Sequence, residues 1–317
     1  MKSWLEMRLA RAGLIAVACI LSLPALAEEK TPTDKLFQDQ PAAHALYTRM
    51  VGTMQKATTL SWTSDFHYEA KGSVFNHVSY KIWLKKPNYA RMEVTSAGQS
   101  DPMGILVGDG DYFWIYWPKD KPRCGWETGK YAEEYEKYRH TYYMQERTPV
   151  GRHSISHAAA NVGSGMTIID PSTFHGYTDS LQPYLDGVRS MGTEKVGDES
   201  CDEVEVSFMK HQRSWYLWLS QRDHLPHKLK EVVRVSYDLI VAETWTNVTL
   251  NAPMTSNLFV WSPPPGWKQF RQPNVEAGLL KSGEPAPDFE LAGADGGKIT
   301  LSGFRGQIVW LNKWRCG

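Results

Sequence analysis

The side chains best suited to chemistry in this sequence are its four cysteines and a few paired histidines. Cys19 lies in an apolar run near the N-terminus, whereas Cys124, Cys201 and Cys316 lie further along the chain. In an oxidising compartment Cys124 and Cys201 could form a disulfide, and closing so long a loop would stabilise the fold by about 4 kcal/mol. Two unpaired thiols are the alternative, and it stays open because spacing alone establishes no pairing.

Two pairs of histidines are close enough in sequence to share a ligand. His153 and His157 are four residues apart, and His224 and His227 are three apart. Metal sites usually combine such histidines with cysteines or carboxylates, and no cluster of these residues accompanies either pair in the sequence. We therefore predict no metal site and no bound cofactor. The sequence also has no phosphate-binding loop and no G-x-S-x-G motif in a strand-to-helix setting.

The N-terminus has the composition of an export signal. Three basic residues precede an apolar run at residues 12–23, and the small-residue stretch Ala25-Leu26-Ala27 follows. This pattern is typical of a cleaved signal peptide, and the apolar run is too short to span a bilayer. We predict a signal peptide at residues 1–27 and a mature protein that is periplasmic or otherwise exported, with no transmembrane span.

Charge and composition limit the classes of partner that the protein can bind. The chain has 35 basic and 35 acidic side chains, and no basic stripe that would indicate a nucleic-acid partner. Thirteen tryptophans and fifteen tyrosines are many for 317 residues, and both types favour strands and the walls of apolar pockets. We therefore predict a β-rich protein that does not bind nucleic acid.

The elements that must position any site are predicted to be mainly strands. Trp215, Leu217 and Leu219 alternate on one face of an extended segment, and a second alternating run follows a short polar turn. Similar runs occur between residues 60 and 117, where Gly108-Asp109-Gly110-Asp111 is a hairpin signal. An amphipathic helix precedes them at residues 41–57, and a second is predicted in the later half of 172–191. The three prolines at residues 263–265 end the sheet.

A stripe of aromatic side chains interrupts the strands. Tyr131, Tyr135, Tyr138 and Tyr142 follow one another at helical spacing, with charged residues on the other face. This pattern predicts an amphipathic helix that either packs against the sheet or forms a lid over a ligand. The four tyrosines are the candidate ligand-binding residues.

From residue 38 to residue 270 the order of these features resembles the LolA-like superfamily of periplasmic proteins, which includes lipoprotein carriers. The resemblance rests on the opening helix and on Lys86-Pro87-Asn88-Tyr89, Gly110-Asp111-Tyr112-Phe113-Trp114, Trp218-Leu219, Leu225-Pro226 and Phe259. It implies a curved antiparallel half-barrel whose covered inner face holds acyl chains or another apolar ligand.

After a linker at residues 271–281, residues 282–317 resemble the beginning of a redoxin (AhpC/TSA) domain of the thioredoxin-like fold. Ala286-Pro287-Asp288-Phe289 and Trp314-Arg315-Cys316 carry this resemblance, although Lys313 stands where an apolar residue is expected. The resemblance implies an incomplete α/β domain in which Cys316 is the nucleophile, activated at a helix N-terminus. The rest of that fold is absent from the sequence, so we expect a truncated form of a longer protein and an inactive fragment.

Two functions follow from these resemblances. The first is an exported thiol-disulfide oxidoreductase or peroxiredoxin-like protein in its full-length form, with a thiol or disulfide protein as partner. Its LolA-like domain would bind an apolar ligand. The second is a non-enzymatic periplasmic carrier or sensor of lipid or lipoprotein with a vestigial redoxin tail.

Overall fold

The computed structural model describes residues 37–119, 140–146, 155–160, 167–178, 180–234, 236–270, 280–293 and 296–310. The chain divides into two compact units, Met1–Lys268 and Gln269–Gly317.

One twelve-stranded sheet forms the frame of the first unit. Its strands are β1 Thr59–Ala70, β2 Ser73–Lys85, β3 Tyr89–Ser96, β4 Gly104–Asp109, β5 Tyr112–Tyr116, β6 Thr141–Glu146, β7 Leu185–Val196, β8 Glu199–Phe208, β9 Arg213–Ser220, β10 Pro226–Arg234, β11 Asp238–Leu250 and β12 Lys268–Gln269. Their order is β12-β6-β5-β4-β3-β2-β1-β11-β10-β9-β8-β7.

The sheet consists of two meanders joined along one pair of strands. Consecutive strands pair antiparallel within β1 to β6 and within β7 to β11, and β1 pairs antiparallel with β11 from Leu60↔Leu250 to Ala70↔Leu239. The hairpins predicted at residues 108–111 and after β9 are both present. The expectation of a mainly antiparallel β fold with a large open sheet is therefore confirmed.

Few helices accompany the sheet in the described parts of this unit. They are α1 (Pro41–Lys56), α2 (Ile155–Ala160) and 3-10 turns at Pro171–His175, Gln182–Tyr184 and Ser256–Phe259. Helix α1 begins at Pro41, where a missing N–H costs no hydrogen bond, and buries Ala43, Tyr47, Met50 and Met54. These side chains join one apolar cluster that includes side chains from strands as distant as β5 and β8. We call the sheet face that carries this cluster the inner face.

Two helix assignments from the sequence were wrong. The later half of residues 172–191 was predicted to be a helix. From Leu185 onward this stretch is instead part of strand β7, which pairs with β8 along most of its length. Tyr142 does not lie on a helix but in β6, where it pairs with Tyr116 of β5. Backbone pairing with a neighbouring strand overrode the helical spacing of the side chains in both places.

The described part of the second unit is small. It contains a hairpin of β13 (Glu290–Ala292) and β14 (Lys298–Thr300) and a 3-10 turn at Leu301–Phe304. Asp288 fixes the turn, because its carboxylate accepts a hydrogen bond from the Ser302 N–H at 2.9 Å. Residues 308–310 lie outside both strands.

Candidate functional site

Aromatic side chains line the inner face of the sheet. Alternation along the strands points them inward, and Trp62 of β1 stacks on Trp245 of β11 with 4.2 Å between ring centroids. Further along, Phe66 meets Tyr80 edge-on, and Phe208 meets Trp215 in the same manner. The inner face is thus the apolar surface that the tryptophan and tyrosine content of the sequence predicted.

Residues 167–178, which we call the cover segment, lie over this face. A 3-10 turn shapes the segment: the Asp170 carboxylate accepts a hydrogen bond from the Ser172 N–H at 2.8 Å, and Gly176 ends the turn at φ 92°. At that positive φ a side chain would be strained, so glycine suits the position. Helix α2 is tied to the segment, because the Ile155 N–H donates to the Ser172 hydroxyl at 2.7 Å.

One end of the cover segment is fastened to the end of β2. The Lys86 ammonium donates to the Phe174 carbonyl oxygen and lies 4.4 Å from the centre of the Phe174 ring. The His175 ring lies 3.3 Å from the Lys85 carbonyl oxygen. Burial lowers the pKa of Lys86, as expected for an ammonium group removed from water.

The other end is fastened by Glu243 of β11, whose side chain is buried. Its carboxyl accepts hydrogen bonds from the Ser64 hydroxyl at 2.8 Å, the Trp245 indole N–H at 2.7 Å and the Ile168 N–H at 3.2 Å. Burial raises the pKa of Glu243, and these hydrogen bonds offset only part of that effect. The cover segment therefore rests on a buried carboxyl group.

Two adjoining cavities lie beside the cover segment, and the first of them also lies beneath α1. The first, about 240 Å³, is lined by Tyr47, Met50, Val51, Ile169 and Trp215 among others. The second, about 260 Å³, lies against β1 and β9 to β11 and is lined by Tyr68, Ile168, Leu181, Leu239 and Val241 among others. Each is slightly smaller than the cavities that hold drug-sized ligands, which begin near about 300 Å³. Tyr177 and Trp215 line both cavities, so the two spaces adjoin.

Polar groups lie along the second cavity. The Trp215 indole N–H donates to the Glu231 carboxylate at 2.8 Å, and the Arg213 guanidinium lies 3.6 Å from the same carboxylate. His157 and Asp170 also line this cavity. The arrangement provides apolar walls with a few charged groups, which suits an amphipathic ligand.

Of the four candidate tyrosines, Tyr142 is the one that the structure describes, and it faces away from the cavities. Its ring lies 5.8 Å from Trp114 and 5.4 Å from Trp261 in an aromatic cluster on the opposite, outer face of the sheet. Tyr142 thus lines neither of the two cavities, and the ligand-binding role of the four tyrosines stays a prediction. Tyr131, Tyr135 and Tyr138 lie outside the described residues.

Of the cysteines, the structure describes Cys201. Cys201 is buried on β8, and burial raises the pKa of its thiol to about 11, with help from Glu199 and two other carboxylates. Cys124 and Cys316 lie outside the described residues. The Cys124–Cys201 pairing and the role of Cys316 thus stay predictions.

Of the histidines paired in the sequence, His153 lies outside the described residues. His157 lies in α2, and His227 lies in β10, 3.7 Å from the Asp223 carboxylate. Sequence reasoning passed over a different group, Asp65, His67 and His77, whose side chains meet on the outer face of β1 and β2. The signal that could have found them is the alternation of Asp65 and His67 along one strand.

Comparisons with known proteins agree with export. A family described as predicted periplasmic protein (DUF2092) matches residues 126–271, which confirms the expectation that the protein is periplasmic or otherwise exported. The match ends before residues 282–317. A search of curated proteins found no match to this sequence. Among the described residues, no helix is both long and apolar enough to cross a membrane.

Several solved structures are distantly similar. They include the lipoprotein LppX of Mycobacterium tuberculosis (12% identity, TM-score 0.39, 69% of this chain and 100% of that chain). A LolA superfamily protein of Nitrosomonas europaea has 8% identity and a TM-score of 0.30, over 69% of this chain and 97% of that chain. The MucA/MucB complex of Pseudomonas aeruginosa gives 16% identity and a TM-score of 0.35, over 82% of this chain and 92% of that chain. Similarities this distant carry no argument about function.

Proposed function

We propose that this exported protein is a non-enzymatic binding protein for an acyl chain of a lipid or lipoprotein. The observation that carries the proposal is the pair of cavities between the inner face and the cover segment, adjoining at Tyr177 and Trp215. The chain would act as a carrier or sensor in the periplasm, with the ligand held between the sheet and the cover segment.

The chemistry of the walls supports an apolar chain with a polar end. Apolar and aromatic side chains make up about half of the lining residues, and the charged groups Arg213, Glu231 and Asp170 lie along the second cavity alone. An acyl chain would gain free energy by leaving water for the apolar walls. Its polar end would find partners near Arg213. The resemblance of residues 38–270 to LolA-like proteins is in line with this proposal.

The first experiment measures binding of a fluorescent fatty acid, cis-parinaric acid, to the purified protein. Val241 lines the second cavity, so Val241→Phe should fill it and weaken binding by about tenfold or more, equal to a loss of about 1.4 kcal/mol. Ile240→Phe on the same strand is the matched control, because its side chain points to the outer face. We expect Ile240→Phe to bind like the unaltered protein.

Equal binding by both variants, or no binding by the unaltered protein, would refute the proposal. Mass spectrometry of lipid extracted from protein purified from the periplasm without detergent gives an independent readout. A triacylated lipopeptide used as a competitor separates the two ligand classes. Displacement of the probe by the lipopeptide, and not by a phospholipid, would identify a lipoprotein ligand.

The thiol-disulfide oxidoreductase hypothesis applies to a longer form of the chain and stays a prediction. Its nucleophile, Cys316, lies outside the described residues, and the described part of Gln269–Gly317 is a hairpin with a 3-10 turn. Thiol reactivity of Cys316 in a longer form, lost in Cys316→Ser, is the measurement that tests it.

A further inference from the structure

Three ionisable side chains converge on the outer face of the first hairpin. Asp65 and His67 are two residues apart on β1 and therefore point to the same side of the sheet. His77 lies on β2 and reaches the same side. The nitrogen and oxygen atoms that these residues offer all lie within 4.8 Å of one another.

A β-bulge brings His77 to this face. From the turn, the register runs Ala70↔Ser73, Glu69↔Val74 and Tyr68↔Phe75, and beyond a shift it continues as Phe66↔Val78. Without the shift, His77 would lie opposite Phe66, whose side chain is buried on the inner face. Asn76 takes up the extra residue at φ 50°. Bulges commonly redirect a side chain in this way next to functional sites.

The three side chains already share close polar contacts. The His77 Nε2 atom lies 3.0 and 3.1 Å from the two carboxylate oxygens of Asp65. The His67 Nδ1 atom lies 3.9 Å from one of these oxygens, and the two imidazole rings are 5.5 Å apart. Two imidazoles and a carboxylate around one point are the donor set of many zinc sites.

Glu69 orients His67 for this role. Its carboxylate lies 2.9 Å from His67 Nε2, and a carboxylate can only accept, so the proton of the neutral ring sits on Nε2. The Nδ1 lone pair then faces the Asp65 carboxylate, so both acceptors are available to one cation. A carboxylate that accepts from the second nitrogen of a metal-binding histidine is a common outer partner in zinc proteins.

We propose that Asp65, His67 and His77 bind one divalent metal ion of the zinc class, with Glu69 as a positioning residue. Nitrogen and carboxylate ligands favour Zn²⁺ and its first-row neighbours over Mg²⁺ and Ca²⁺, which prefer oxygen alone. The metal takes the place of the proton that His77 shares with Asp65. The side chains of Asp65 and His77 are 62% and 43% exposed, so the ion exchanges with solvent and keeps a position for water or another ligand.

The test is a calorimetric titration of the untagged, metal-free protein with Zn²⁺. We expect one ion per chain, and loss of binding in Asp65→Asn and His77→Gln. Glu69→Gln should weaken binding by about 10- to 100-fold, as loss of an outer partner does elsewhere. His44→Gln is the matched control, because His44 lies 2.9 Å from Asp39 but belongs to no group of three metal-ligating side chains among the described residues.

An ordinary ion pair between a protonated histidine and Asp65 is the competing explanation. It predicts no stoichiometric Zn²⁺ binding, and that result would overturn the proposal. Equal Zn²⁺ affinity in Asp65→Asn, His77→Gln and the unaltered protein would overturn it as well. X-ray absorption of the zinc-loaded unaltered protein gives a readout that does not depend on how the variants fold. It should show two imidazole ligands, and fewer than two would count against the site.

Discussion

Removing the Glu243 carboxyl should loosen the cover segment and destabilise the first unit. In Glu243→Ala, the buried Trp245 indole N–H and the Ile168 N–H lose the acceptor that they now contact at 2.7 and 3.2 Å. The Ser64 hydroxyl can rotate to another partner. Each buried donor left without an acceptor costs about 1–3 kcal/mol, so the two together predict a loss of about 2–6 kcal/mol.

Urea unfolding of the two proteins measures this loss, and amide hydrogen exchange at Ile168 shows where it acts. We expect faster exchange at Ile168 in Glu243→Ala, because its N–H loses the Glu243 carboxyl as its acceptor. Thr244→Val is the matched control: this neighbouring side chain is exposed on the outer face, where substitutions usually change stability by about 0.5 kcal/mol or less. An effect of Glu243→Ala no larger than that of the control would refute the reasoning.

The same residue should make stability depend on pH. Burial raises the folded-state pKa of Glu243, so the folded protein holds a proton that the unfolded chain releases above its ordinary pKa. The protonated carboxyl group contributes its full stabilisation of the fold below its ordinary pKa of about 4.3. This stabilisation is lost as pH rises through the pKa of the folded state. The loss is at most about 1.4 kcal/mol per pH unit. Glu243→Gln cannot ionise, so the stability of the unaltered protein relative to that of Glu243→Gln should fall as pH rises. A difference that stays constant with pH would contradict the raised pKa.

Three further predictions concern other buried groups. Burial alone would raise the pKa of Glu205, but hydrogen bonds from its neighbours outweigh burial, so the pKa is lowered overall. The ionised Glu205 carboxylate therefore stabilises the fold at neutral pH, and this stabilisation is lost as pH falls. Urea unfolding of Glu205→Ala at pH 7 should show a loss of about 1.5–3 kcal/mol. Asp170→Ala removes the cap of the 3-10 turn and should cost about 1 kcal/mol in thermal unfolding. The Cys201 thiol, with a pKa of about 11, should react slowly with Ellman's reagent at pH 8 in the folded Cys124→Ser/Cys316→Ser variant and quickly in urea.

Local alternation was enough to predict most of the sheet. Trp215, Leu217 and Leu219 lie on the inner face as their spacing indicates, and Gly110 lies in the turn between β4 and β5. These features depend on residues close in sequence, where the period of two and the turn chemistry act together. The hairpins were therefore predictable from the sequence.

The candidate site depends on contacts that the sequence does not encode locally. Glu243 meets Ser64 across 179 positions and Ile168 across 75, because β1 and β11 close the two meanders together. No turn signal connects such distant strands. Likewise, an unbulged hairpin would turn His77 inward, and the register shift at Asn76 turns it outward.

Strand β1 takes part in both proposed sites because its side chains alternate between the two faces. Tyr68 lines the second cavity on the inner face, whereas Asp65 and His67 lie on the outer face. No side chain of the proposed metal site lines a cavity beneath the cover segment. Substitutions at Val241 and at His77 therefore alter different faces of the sheet. Failure of acyl-chain binding would leave the zinc proposal standing, and the reverse also holds, since only a movement of the β1 backbone would connect the two.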